Sequence, residues 1–88
     1  MLVRDVVIGW DGGNMDAAVR LMRRANEFSS LIAMQKGDRS VNAKSLLGIL
    51  SLPAEKGDPI RLIVDGADEE EAVKDLVSFF NASDEPNE

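Results

Sequence analysis

From Leu2 to Ile8 the chain carries an apolar, β-branched run that ends at Gly9, the pattern of a strand. Trp10-Asp11-Gly12-Gly13-Asn14 then reads as a loop, because its glycines and short polar side chains favour turns. The period changes next. Met15, Ala18, Val19, Met22 and Ala25 recur at helical spacing, which predicts a helix with that stripe buried and Arg20, Arg23 and Arg24 on the other side. Asn14 stands where its side-chain oxygen can accept an orphan amide of the first turn. The arginines in the last turns suit the negative end of the helix dipole.

Leu31 to Gln35 and Arg39 to Val41 flank Lys36-Gly37-Asp38, which predicts a hairpin of two short antiparallel strands. Ser45 precedes Leu46-Leu47-Gly48-Ile49-Leu50, a short apolar helix with the serine at its cap. Residues 53 to 59 form a turn-rich connector, and Ile60 to Val64 is another strand. Asp68-Glu69-Glu70-Glu71 then loads acids into a first helical turn, where the dipole favours them. Val73, Leu76, Val77 and Phe80 supply that helix with an apolar face, and Glu70 is spaced to pair with Lys74. The order β-α-β-β-α-β-α predicts an α/β (α+β) fold, an open-faced β-sandwich with helices on one face of the sheet. One domain is expected over residues 1–82, followed by a polar tail at 83–88.

Composition narrows the chemistry. The 88 residues contain no cysteine and no histidine, which removes disulfides, thiolate chemistry and nearly all zinc or copper sites. With neither residue, and with carboxylates only scattered, no activated nucleophile or base is visible, so an enzyme is not expected. Apolar residues make up 44% and charged residues 30%, ordinary for a folded soluble domain. No apolar run approaches the ~20 residues of a membrane span, and no signal peptide precedes the first strand, so a cytoplasmic protein is expected. The net charge of −6 argues against nucleic acid as a partner. That charge is lopsided: residues 1–44 hold seven basic and five acidic side chains, residues 45–88 three and eleven. Arg20, Arg23 and Arg24 make a local basic patch, either a solvated helix surface or a contact for an acidic partner.

Gly12, Gly13 and the acids around them match no nucleotide motif. Asp11, Asn14 and Asp16 lack the alternate spacing of a calcium loop, and no cofactor is expected. Ser45 has two readings. It caps a helix, as serines commonly do, or it receives a phosphate there, facing unpaired amides and the positive dipole end. Leu46, Leu47, Ile49 and Leu50 cannot all bury on one side of so short a helix, so some must face outward and are available to a partner.

The segment Val41-Asn42-Ala43-Lys44-Ser45-Leu46-Leu47-Gly48-Ile49-Leu50-Ser51-Leu52 resembles the regulatory region of HPr, the phosphocarrier of the sugar phosphotransferase system, and that of its histidine-less relative Crh. Ala25 through Phe28, Lys36-Gly37-Asp38 and Gly66-Ala67-Asp68-Glu69 fall at family-like intervals too, so the likeness covers roughly residues 2–80. It implies a four-stranded antiparallel sheet with three helices on one face. In the family, a loop of the form Gly-x-His-Ala-Arg-Pro-Ala carries the phosphoacceptor at the start of the first helix. Here Gly12-Gly13-Asn14-Met15-Asp16-Ala17-Ala18 aligns with it, placing Asn14 for the histidine, Asp16 for the arginine and Ala17 for the proline. A one-residue gap would put Met15 in the histidine's place, and neither side chain can carry the relay. The resemblance further implies phosphorylation of Ser45 by an HPr kinase/phosphorylase. It implies partner contacts by Leu46, Leu47 and Leu50 with Arg20, Arg23 and Arg24 as a charged rim. A LacI-type catabolite control transcription factor or a metabolic enzyme is the implied partner, and carbon catabolite regulation the implied role. Asp16 weighs against the transcription factor, since the family's arginine there belongs to the corepressor surface.

Overall fold

The computed structural model describes residues 1–11 and 14–81. The predicted tail at 83–88, and Gly12 and Gly13, lie outside the described residues. Four strands and three helices follow in chain order: β1 (Leu2–Val7), α1 (Met15–Ala25), β2 (Leu31–Lys36), β3 (Arg39–Asn42), α2 (Leu46–Ser51), β4 (Pro59–Asp65) and α3 (Glu69–Asn81). The strands form one antiparallel sheet in the order β1-β4-β2-β3, so β1 and β3 are its edges.

Alternation along each strand decides which side is covered. Val6, Ile32, Met34, Ile60, Leu62 and Val64 are buried under the helices. Val3, Val7 and Leu31 are exposed on the open face. There the register places Asp5 beside Arg61, and the pair bonds at 3.1 Å. In the β2–β3 hairpin Lys36 pairs with Arg39, leaving Gly37-Asp38 as a two-residue turn, and Gly37 adopts the φ of 62° that glycine supplies without steric cost.

The helices contribute Ala17, Ala18, Leu21 and Ala25 from α1, Ile49 from α2, and Ala72, Val73, Leu76 and Phe80 from α3. The α1 stripe corrects the sequence reading by about one residue. Alanine contributes little to a hydrophobic pattern, so Met15 and Val19 drew the predicted stripe toward themselves. In the fold Ala17, Ala18 and Ala25 are buried where α1 packs beside α2 and α3, while Met15 is 54% exposed. The expected Glu70–Lys74 pair is not formed: among the described residues Lys74 has no carboxylate partner.

One polar and one aromatic arrangement fasten the layers. The Asp68 carboxylate accepts the amides of Ser29 and Ser30 at 2.9 and 3.0 Å, and the Ser30 hydroxyl at 2.5 Å. Those donors, the Ser30 hydroxyl first, lower the Asp68 pKa to about 2. Gly66 packs against the same serine, and a Cβ at Gly66 would sit 2.5 Å from Ser30 Oγ, so no larger residue fits. At the opposite end of α3, Trp10 packs against both Phe79 and Phe80, with ring centroids at 5.4 and 5.0 Å. Among the described residues no helix is long and apolar enough to cross a membrane.

Candidate functional site

Ser45 sits in extended backbone just before α2, and its Oγ accepts the amide of Gly48 at 3.1 Å. The carbonyl of Ser45 takes the Ile49 amide at 2.9 Å. Leu46 and Leu47 open the helix, ahead of any carbonyl the helix could offer their amides. The first turn of α2 holds no acid, so nothing on the helix offsets the positive dipole end beneath the serine. Ser45 as a residue is partly exposed.

The backbone leading to Ser45 is clasped from two sides. Lys44 donates its amide to Asn42 Oδ1 at 2.8 Å and its Nζ to the carbonyl of Phe28 at 2.7 Å. Asn26 Nδ2 donates to the carbonyls of Met22 and Lys44, at 2.9 and 3.1 Å. In the sequence Asn42 and Lys44 count only as part of the family-like segment ahead of Ser45, and Asn26 has no part in the site. The Asn-x-Lys spacing ahead of Ser45 was the available signal, and Asn26 had none. At the far end of α2 the hairpin supplies cations to the last carbonyls: Lys36 Nζ reaches Pro53 O at 2.6 Å and Arg39 Nη2 reaches Ser51 O at 3.5 Å. Lys36 also bonds Asp58 at 2.9 Å, holding that carboxyl below its ordinary range.

The leucines divide by depth. Ile49 is buried, Leu46 and Leu50 pack at the margin of the core, and Leu47 is 80% exposed. Asn26 marks the flank of α1 that faces α2. Met22 and Met15, four and eleven residues earlier, lie along that same flank. The flank of α1 turned toward α2 therefore carries methionines.

The expected basic rim is corrected accordingly. Arg24 bonds Asp75 of α3 at 2.8 Å and its guanidinium lies 5.7 Å from the centroid of the Phe79 ring. Arg20, one turn earlier on that flank, pairs with Asp16 at 3.1 Å. Both face α3. Arg23 points to solvent from the crest of α1, its back to the buried stripe. The stretch Arg20, Arg23, Arg24 is contiguous in sequence, but a helix distributes adjacent residues over different sides.

At the start of α1, Asn14 Oδ1 accepts the Ala17 amide at 3.1 Å and the Asn14 amide donates to Asp11 O at 2.9 Å. Asn14 holds the cap, Met15 is the first helical residue, Asp16 is exposed beside Arg20, and Ala17 is buried. A carboxamide oxygen already engaged by an amide offers no nucleophile for phosphoryl transfer.

Comparison with known proteins agrees with this arrangement. Residues 4–82 match the family described as "PTS HPr component phosphorylation site". The HPr-like protein Crh of Halalkalibacterium halodurans is 42% identical over 63 residues, spanning 72% of this chain and 75% of that protein. The phosphocarrier protein HPr of Neisseria meningitidis serogroup A is 40% identical over 65 residues, 74% of this chain and 73% of that one. The crystal structure of a phosphocarrier protein HPr from Bacillus anthracis superposes with a TM-score of 0.83 at 32% identity, covering 90% of this chain and 95% of the other. By sequence and by fold, the chain belongs to the HPr family.

Proposed function

We propose that this HPr-family protein is a Crh-like regulator that does not relay phosphate and is switched by phosphorylation of Ser45 in carbon catabolite regulation. Its amino acids include no histidine, so a phosphohistidine has no place to form. The observation that carries the reading is the geometry of Ser45: a partly exposed residue whose hydroxyl caps α2, over a first turn without acids. An HPr kinase/phosphorylase would transfer the γ-phosphoryl of ATP to Ser45 Oγ, with the hydroxyl proton lost to solvent or a kinase base and ADP leaving. The new dianion would then lie near the opening amides of α2, where the dipole contributes ~0.3–1 kcal/mol in its favour. Leu47, Leu46 and Leu50, with Met15 and Met22 beside them, would supply the apolar centre of the docking surface. A phosphate at Ser45 would edge that surface with charge and so change which partner fits it. Asp16, where the family carries arginine, favours a metabolic enzyme over a LacI-type transcription factor as the partner of the phosphorylated form.

A second reading has its own support. Leu47 is 80% exposed with no phosphate needed to present it, as in a binding module that docks on a metabolic enzyme or transporter unmodified. Incubation with an HPr kinase and ATP separates the two. One acid-stable phosphate on Ser45, lost in Ser45→Ala, is expected for the regulator. Labelling elsewhere, or none, would favour the unmodified binding module.

A further inference from the structure

The edge of the sheet farthest from β3 and α2 carries a feature that the Ser45 reading does not use. Among the described residues strand β1 pairs only with β4, which leaves one side of its backbone open there to a further strand. Above that edge, a groove of about 400 Å³ runs between β1 and α3. Leu2, Val73 and Val77 form its apolar floor, and Arg4, Lys74 and Glu70 its charged border. Arg4 breaks the alternation of β1. Leu2, Val6 and Ile8 turn apolar side chains toward the helices, and Arg4 occupies the same side with a cation.

In a chain of net charge −6, Arg4 and Lys74 would be expected to find carboxylates. Neither does so among the described residues. Arg4 donates instead to the neighbouring Val3 carbonyl at 2.9 Å, and Lys74 stays apart from Glu70 one turn away. An inward-pointing cation at a sheet edge rejects casual pairing, and it also selects, because a strand that brings a carboxylate satisfies it.

We propose that this groove docks an extended segment of a partner protein in which acidic and apolar residues alternate. The segment adds beside β1 as a fifth strand. Its backbone pairs with the open side of β1, and its groove-facing side chains alternate between carboxylates that meet Arg4 and Lys74 and aliphatic groups that cover Leu2 and Val77. Glu70 limits the fit to one end of the groove. Because α2 lies across the molecule, such a partner binds independently of the state of Ser45.

The test is a titration of the ¹⁵N-labelled full chain with a capped peptide alternating Glu and Val, and with a matched peptide carrying Lys for Glu. Saturable amide shifts confined to residues 2–6 and 73–77 are expected for the acidic peptide only. The Arg4→Glu, Lys74→Glu double variant should keep a dispersed spectrum and bind at least about tenfold more weakly. If that variant unfolds, Arg4→Ala serves, since the side chain is exposed. The proposal is overturned by the absence of saturable shifts at ~1 mM peptide, or by equal binding of the basic peptide. Shifts centred on residues 46–50 would overturn it as well. So would groove shifts that appear on concentrating the protein alone, which would assign the groove to a second copy.

Discussion

Two helix starts in this molecule are built alike and equipped differently. At α1 the Asn14 oxygen accepts the amide three residues on at 3.1 Å, and at α2 the Ser45 oxygen does the same at 3.1 Å. Both are caps, and to the fold they are equivalent. They differ in the atom and its surroundings. Asn14 presents a carboxamide followed by Asp16 in the first turn; Ser45 presents a hydroxyl, with Lys44 before it and no acid in the first turn. Capping a helix and carrying a phosphate are thus separable properties of one position. A family can lose the second at one helix and keep its prerequisites at another.

The sharpest break of that comparison is a phosphoryl-transfer experiment with enzyme I and phosphoenolpyruvate. No acid-labile phosphate is expected on this protein, and its appearance would erase the distinction between the two starts. Next in size is an attempt to make them equal. Asn14→His alone should give near-zero transfer, because Asp16 remains beside the new imidazole. Asn14→His with Asp16→Arg should give measurable transfer, since it removes the carboxylate that opposes an incoming dianion. Full carrier activity from the single change would show that Asp16, paired as it is with Arg20, exerts no effective repulsion.

Smaller effects test the shared property. Ser45→Ala and Asn14→Ala should each lower stability by ~1 kcal/mol in urea titration. Ser45→Asp should stay within about 1 kcal/mol of the parent, as a charge placed at a positive helix end. Unfolding of Ser45→Asp would mean that the position cannot accommodate a negative group, and the switch would fail with it.

The smallest expected effect concerns the start of α3, where Asp68 serves as a control. Its carboxyl is held at about 2, below the usual 3.8, by the Ser30 hydroxyl and the Ser29 and Ser30 amides. A depressed native pKa contributes stability that is present above the unfolded value and lost as pH falls through the folded one. Acid titration between about pH 4 and pH 2 should therefore weaken the parent protein. Asp68→Asn should be less stable at neutral pH and flatter across that window. An identical acid profile in both would show that the three donors do not act on the carboxylate.

Much of this architecture was legible because strands announce themselves by alternation. Leu31–Lys36 and Pro59–Asp65 each bury one parity of residues, and Leu2–Val7 keeps that side except at exposed Arg4. Both caps were legible as well, because Asn14 and Ser45 stand immediately before apolar helical patterns. The register of α1 was not. Its buried side is mostly alanine, whose fit depends on how closely α2 and α3 approach the helix, a tertiary quantity. The arginine rim failed for a related reason: Asp75, which claims Arg24, lies 51 residues away in sequence, and no local spacing foretells it. The clasp through Asn26 and Lys44 joins two segments 18 residues apart and was equally hidden.

The contact between Gly66 and Ser30 constrains the ancestry of this sequence. With a Cβ at Gly66 only 2.5 Å from the serine hydroxyl, and with that hydroxyl committed to Asp68, three residues from two loops form one unit of inheritance. A larger side chain at Gly66 collides with Ser30. A residue without the hydroxyl at Ser30 strips Asp68 of a donor, and a neutral Asp68 leaves the loop amides without their shared acceptor. A change at any one of the three therefore disturbs the contacts of the other two.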